Sequence, residues 1–235
     1  MGIVNQGVPR ETALFIQNQF QVQTFLETGT YFGETAFWAS TQFEHVITIE
    51  YALPIYMKAL SKYGTIQNIS FFFGDSRELL SKLVPKLDEP ALFWLDGHYS
   101  GQNTYGKDDE CPILDELNTF HATSVEHFLM IDDARLFLAP PPYPHVHEQW
   151  PTIVEIIQLL LSINGTYYVT VIDDVIFAIP KYGKDIMTSY FQEQATRNWK
   201  AHLAITRERQ NLVTQGNQQK SIKFLVNQLL KKPIK

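Results

Sequence analysis

From residue 24 onward, short continuous apolar runs alternate with longer stretches of helical period. The runs cover residues 24–26, 45–49, 69–73, 91–95, 128–131 and 167–172, and a seventh, 175–179, follows after Asp173 and Asp174. They are rich in β-branched and aromatic residues, which predicts strands. Amphipathic helices are predicted near 34–41, 52–63, 76–87, 111–121 and 149–162. Ala13, Leu14, Ile16, Gln17 and Phe20 give residues 1–20 the partly apolar face of one more. Strands that are apolar throughout are covered on both faces. The pattern therefore predicts an α/β architecture, a Rossmann-like, doubly wound, mostly parallel seven-stranded sheet with helices on both sides. Two residues between the last two runs are too few for a crossover helix, so these strands are expected to pair as an antiparallel hairpin at one edge.

With 235 residues and 45% hydrophobic content, the chain can bury roughly 70% of its unfolded surface around one core. The net charge of −6 conceals an asymmetry: residues 1–180 carry 8 Lys and Arg against 22 Asp and Glu, and residues 181–235 carry 11 against 3. The division expected is a body, 1–180, followed by a basic helical appendage, 181–235. So acidic a body repels polyanions, and nucleic acid is not an expected partner. The single cysteine, Cys111, forms no internal disulfide, and no Cys/His cluster has zinc-finger spacing. The first residues lack a basic segment followed by an apolar one, and no stretch approaches 18 apolar residues, so a cytoplasmic chain without a membrane partner is expected.

Ligands of open α/β sheets bind beyond the carboxyl ends of the parallel strands, and those ends are polar here. The first run leads into Glu27, Thr28, Gly29, Thr30, Tyr31, Phe32 and Gly33, where Gly29 permits a tight turn and Gly33 lets the next helix approach. The second ends at Glu50, about twenty residues on, suited to accept both hydroxyl protons of a ribose. After the third come Asp75 and Ser76, which either face an exocyclic amine such as that of adenine or simply cap the next helix. The fourth and fifth lead into Asp96-Gly97-His98 and Asp132-Asp133. Carboxylates on adjacent strands, about 4.8 Å apart, suit a hard cation such as Mg²⁺; helix capping or loop hydrogen bonding is the alternative. His98 is a candidate ligand or general base.

These residues resemble the class I S-adenosylmethionine-dependent methyltransferases over roughly residues 22–180. The Glu27-x-Gly29-x-Tyr31-x-Gly33 turn is similar to the acidic, glycine-rich loop of that family in its catechol-type variant, with Tyr31 replacing the middle glycine. The Leu95-to-Tyr99 and Ile131-to-Asp133 segments resemble the metal-binding strand ends of catechol-type and macrocin-type O-methyltransferases, except that His98 stands where the latter keep an acid. The resemblance implies a cofactor site formed by Glu27, Thr28, Gly29, Thr30, Gly33, Glu50, Asp75 and Ser76. Gly29 and Gly33 would shape the loop around the methionine moiety, with Glu27 near its ammonium group directly or through water. It also implies Mg²⁺ on Asp96, Asp132 and Asp133, and Asp96 or His98 as the base that deprotonates an acceptor hydroxyl.

The polar loop 100–109 and the proline-rich segment 139–148 follow the fourth and fifth strands, where lids over an acceptor would lie. Arg135, directly after the paired acids, either neutralises them or meets an anionic acceptor. Residues 186–199 and 221–230 have helical apolar spacing, the latter flanked by lysines, and packing on the body or on a second subunit, as in a homodimer, is the expected use. The function expected is Mg²⁺-dependent O-methylation of a small hydroxylated acceptor, a sugar or natural-product intermediate. The alternatives are metal-independent transfer on the same fold, a catalytically silent adenosine-ligand-binding protein, and an NAD-dependent dehydrogenase.

Overall fold

The computed structural model describes residues 7–99, 106, 109–163 and 167–229, with side chains as far as residue 210. Seven strands, β1 (Thr24–Thr28), β2 (His45–Glu50), β3 (Ile69–Phe73), β4 (Ala91–Leu95), β5 (Phe128–Ile131), β6 (Tyr167–Ile172) and β7 (Val175–Pro180), form one sheet in the order β3-β2-β1-β4-β5-β7-β6. The first five are parallel, and β7 runs antiparallel between β5 and the edge strand β6. The expected architecture and terminal hairpin are thus both present. β4 and β5 are buried at every position, the burial pattern of strands covered on both faces.

Helices α1 (Arg10–Phe20), α2 (Glu34–Ser40), α3 (Leu53–Tyr63), α4 (Ser76–Leu83), α5 (Ile113–Asn118), α6 (Ala134–Leu138) and α7 (Ile153–Ser162) connect and cover the strands. The largest fully buried side chains include Phe25 and Leu26 of β1, Leu92, Phe93 and Trp94 of β4, Phe128 of β5 and Phe177 of β7. α1 begins at Arg10 rather than at the chain start, and residues 1–6 lie outside the described residues. The stretch expected as one helix over 76–87 divides into α4 and a 3₁₀ turn at Val84–Lys86, because Pro85 lacks the N–H an α-helix would need there. α6 was not anticipated: five residues are too few to show a helical period.

The chain forms two compact units, Met1–Lys184 and Asp185–Lys235. The second is built on one continuous helix, α8 (Lys184–Leu229), which joins the two segments expected separately. The apolar face expected over 221–230 falls on side chains outside the described residues. Among the described residues, no helix is long and apolar enough to cross a membrane.

Candidate active site

β1 lies between β2 and β4, so the chain leaves β1 toward one side of the sheet and returns through β4 on the other. Such a switch point opens a crevice beyond the carboxyl ends of the two strands. A cavity of about 440 Å³ lies there, within the range of about 300–1,000 Å³ usual for small-molecule sites. Gly29, at φ +84°, turns the chain away from β1 so closely against β4 that a Cβ would stand 2.3 Å from the Asp96 carbonyl oxygen. Only glycine meets both the left-handed backbone and that approach. Gly33, also left-handed, starts α2 against Tyr63, 2.9 Å from where its Cβ would be.

Gly29, Glu50, Asp75 and Ser76 line the cavity, together with Asp96, His98, Asp132 and Asp133 from the ends of β4 and β5. Glu27, Thr28, Thr30 and Gly33 do not. The strand continues two residues beyond the apolar run, so Glu27 lies inside β1, opposite Thr48 and Trp94, and is buried. Its carboxyl accepts from Thr48 Oγ1 at 2.7 Å, and Thr48 Oγ1 also lies 2.5 Å from Thr30 Oγ1. Burial outweighs the Thr48 hydrogen bond and pushes Glu27 up to about 8. Glu27 thus forms a buried bracket between β1, β2 and the turn.

Glu50, the last residue of β2, is fixed by two backbone donors: Tyr31 N–H to Oε2 at 3.0 Å and Ala52 N–H to Oε1 at 2.8 Å. Tyr51 adds a further backbone donor, and the side chain reaches the cavity. Burial raises the Glu50 pKa against the backbone donors.

Asp75 caps α4 by accepting from Arg77 N–H at 2.9 Å, as one reading of the sequence held, and it also lines the cavity. Arg77 was not singled out. Its guanidinium binds Asp75 through Nε at 3.0 Å and Nη2 at 2.7 Å, and reaches Asp109 through Nη1 at 2.5 Å. Hydrogen bonds from Arg77 hold the Asp75 carboxyl below its ordinary range. Glu116 of α5 was missed as well. It is buried, with Oε1 lacking a hydrogen-bond partner, and a Cβ at Gly97 would lie 3.1 Å from both that oxygen and Thr28 Oγ1. Burial pushes Glu116 up to about 7.

Around the ends of β4 and β5, acids and cations interleave. His98 Nε2 lies 2.8 Å from Asp133 Oδ2 and His98 Nδ1 lies 3.7 Å from Asp96 Oδ1. Arg135 Nη1 binds Asp133 Oδ1 at 2.5 Å and also binds Asp174 of the β6–β7 turn. Asp174 additionally accepts from Arg135 N–H at 2.9 Å, tying α6 to the hairpin. Burial pushes Asp96 up to about 6 against the attraction of His98. Burial and then the charges of Asp96 and Asp133 push Asp132 up to about 7. Asp133 goes the other way: its burial is outweighed by His98 and Arg135. The burial of His98 is likewise outweighed by Asp133 and Asp96, and its pKa rises.

The donors are the oxygens Mg²⁺ prefers, but Asp96, Asp132 and Asp133 do not converge as one set. The described acids whose oxygens converge within 4.8 Å are Asp132, Asp133 and Asp174, with Asp174 in the place expected for Asp96. Arg135 already binds two of the three, and His98 stands between Asp96 and Asp133. The neutralisation weighed for Arg135 is what the structure shows.

Glu110 ties the proline-rich segment to this region. Its buried carboxylate accepts from Trp150 Nε1 at 2.6 Å and Val146 N–H at 3.2 Å, and lies 3.0 Å from His145 Nδ1. The Trp150 ring packs edge-on to His98 at 5.3 Å. Most of the polar loop 100–109 lies outside the described residues.

No family model matches the chain, and no curated protein matches it. Among solved structures it is similar to the O-methyltransferase TomG of Streptomyces achromogenes, solved with S-adenosylmethionine and involved in tomaymycin synthesis, at 17% identity over 75% of this chain and 82% of that one, with a TM-score of 0.50. It is also similar to a candidate caffeoyl-CoA O-methyltransferase from Staphylococcus aureus, at 14% identity over 76% and 86% of the two chains, with a TM-score of 0.51. The chain has the Rossmann-like fold of the class I S-adenosylmethionine-dependent methyltransferases.

Proposed function

We propose that this chain transfers a methyl group from S-adenosylmethionine to a hydroxyl of a small acceptor, such as a sugar or a natural-product intermediate. The observation that carries the reading is the Glu50 carboxylate, held by the Tyr31 and Ala52 amides in one cavity with the Gly29 turn and Asp75. That arrangement offers two fixed acceptor oxygens to a ribose diol, a close backbone approach for the chain attached to it, and a carboxylate for the base. When bound, the sulfonium supplies an activated methyl group that needs an aligned nucleophile and little covalent help.

The chain's own residues supply alignment and proton removal. The paired Asp96 and His98 take the acceptor's proton, and Asp133, 2.8 Å from the ring, stabilises the imidazolium. Arg135 and Asp174 fix Asp133 from the other side. Acids lining the cavity suit the positive charge of the sulfonium.

A second reading places Mg²⁺ on Asp96, Asp132 and Asp133. It is favoured by the raised pKa values of Asp96 and Asp132, a strain that a divalent cation would relieve. It requires His98 and Arg135 to release Asp133. Transfer of labelled methyl from S-adenosylmethionine across a panel of hydroxylated acceptors, with and without chelator, separates the readings. Turnover that persists in chelator and drops about 100-fold or more in His98→Ala supports the His98 route; turnover lost in chelator and restored by Mg²⁺ decides for the metal. Cofactor binding without turnover on any acceptor points to a silent binding protein.

A further inference from the structure

The four aspartates at the ends of β4 and β5 and in the β6–β7 turn share two cations, and the sharing leaves one acid out. Asp96 faces His98 Nδ1 at 3.7 Å, Asp133 is held by both His98 and Arg135, and Asp174 is held by Arg135. Asp132 meets neither. Its Oδ1 accepts from the Asp133 N–H at 2.7 Å, and its Oδ2 has no hydrogen-bond partner or cation among the described residues. Yet Asp132 is only 7% exposed, and it lines the cavity. A carboxylate buried that far is costly without a counter-charge, so the missing partner is one that a ligand brings.

Strand order decides which ligand that is. Glu50 ends β2 and Gly29 follows β1, whereas Asp96 and Asp132 follow β4 and β5 on the other side of Gly29. Three strand spacings of about 4.8 Å set Asp132 roughly 14 Å from Glu50, so a cofactor anchored at Glu50 leaves Asp132 to the acceptor. One open carboxylate suits one singly charged group; a divalent cation needs several oxygens together. Resting on the methyl-transfer reading above, we propose that the acceptor is an amino alcohol. Its protonated amine sits on Asp132 Oδ2, and the hydroxyl that receives the methyl group, on a neighbouring carbon, lies beside Asp96 and His98. Asp132 N–H bonds the Leu95 carbonyl at 3.1 Å, which sets Asp132 next to Asp96 and the two functional groups close together, as in an amino sugar. The acceptor oxygen takes the methyl group as the carbon–sulfur bond breaks, the sulfonium becomes a neutral thioether, and the hydroxyl proton passes to the Asp96–His98 pair. Held as an ammonium, the amine has no lone pair to attack with, so transfer goes to oxygen.

The test compares acceptors that differ only in carrying an amine or a hydroxyl: glucosamine with glucose, and vicinal aminocyclohexanol with vicinal cyclohexanediol. Their binding to the full chain saturated with S-adenosylhomocysteine is read by calorimetry in chelator. The amino member of at least one pair is expected to bind about tenfold or more tightly, and labelled methyl from S-adenosylmethionine to appear on its oxygen. Asp132→Asn keeps the side-chain shape and is expected to bring that pair within about twofold, with S-adenosylhomocysteine affinity unchanged within about twofold. Asp132→Glu keeps the charge and is expected to retain part of the preference; it serves if the asparagine variant does not fold. Equal binding within both pairs, no binding of either amino alcohol, or methyl found on nitrogen overturns the proposal while the cofactor reading stands. So does an Asp132→Asn variant that weakens both members equally, which marks Asp132 as a structural acid. A diol preferred once Mg²⁺ replaces the chelator overturns it in favour of the metal. Failure of the wild-type chain to bind S-adenosylhomocysteine removes the cofactor reading and the proposal together.

Discussion

At the scale of single residues, the site depends on a few positions where one chemical group has no substitute. Gly29 is the sharpest case: a methyl group there would stand 2.3 Å from the Asp96 carbonyl oxygen, on a backbone that side chains rarely adopt. Gly29→Ala is expected to cost about 2 kcal/mol or more in chemical denaturation, and an unchanged midpoint would refute the packing described for the β1–β4 crossing. Gly29, Glu50, Asp96, Asp132 and Asp133 were legible in the sequence because glycines and acids just past apolar runs stand out on a one-dimensional map. Arg77, Glu110 and Glu116 were not. Their roles come from partners that folding brings near, such as Asp109, Trp150 and Thr28. Glu27 was legible as an acid, but its place inside β1 was not, since nothing in Phe-Leu-Glu-Thr says that the strand runs two residues past the last apolar one.

At the scale of elements, strand positions were the most legible feature, because the runs are mostly apolar and rich in β-branched and aromatic residues. Helix ends were less so. α7 shows why some are well defined: Thr152 accepts from the Glu155 N–H while the Glu155 carboxylate accepts from the Thr152 N–H at 2.7 Å, a reciprocal capping box. Thr152→Ala is expected to destabilise the chain by about 1 kcal/mol, read as a lowered unfolding midpoint, with no change in cofactor affinity because Thr152 does not line the cavity. The division of α4 at Pro85 and the short α6 after left-handed Asp133 follow from backbone geometry that periodicity does not report. The β6–β7 turn was recognised as a hairpin, yet its contribution of Asp174 to Arg135 was invisible, because 39 residues of chain separate them.

At the scale of the whole molecule, the acidity that first argued against polyanions divides into two kinds of carboxylate. Glu50, Asp75, Asp96, Asp132 and Asp133 line the cavity, whereas Glu27 and Glu116 are buried behind it. The buried pair have folded pKa values of about 8 and about 7, above their ordinary 4.5, so between those limits the folded state binds more protons and stability rises as pH falls. His127 acts oppositely. Buried, it is held down to about 4 from 6.5, so the unfolded state binds more protons between those values, and its contribution is lost as pH falls from about 6.5 toward about 4. His127→Gln keeps an acceptor for the Ala91 N–H that His127 Nδ1 now receives at 3.1 Å. The stability difference between wild type and this variant is expected to shift in the variant's favour by up to about 1.4 kcal/mol per pH unit on acidification below 6.5. A pH-independent difference would show that His127 is not held neutral.

The central claim is that the cavity at the β1–β4 crossing holds S-adenosylmethionine through Glu50, and equilibrium binding tests it most directly. Calorimetry on the full chain is expected to show S-adenosylmethionine binding, with affinity falling about tenfold or more in Glu50→Ala as the ribose loses its charged acceptor, and NAD binding far more weakly. Preferential binding of NAD, or S-adenosylmethionine affinity indifferent to the loss of Glu50, would contradict it.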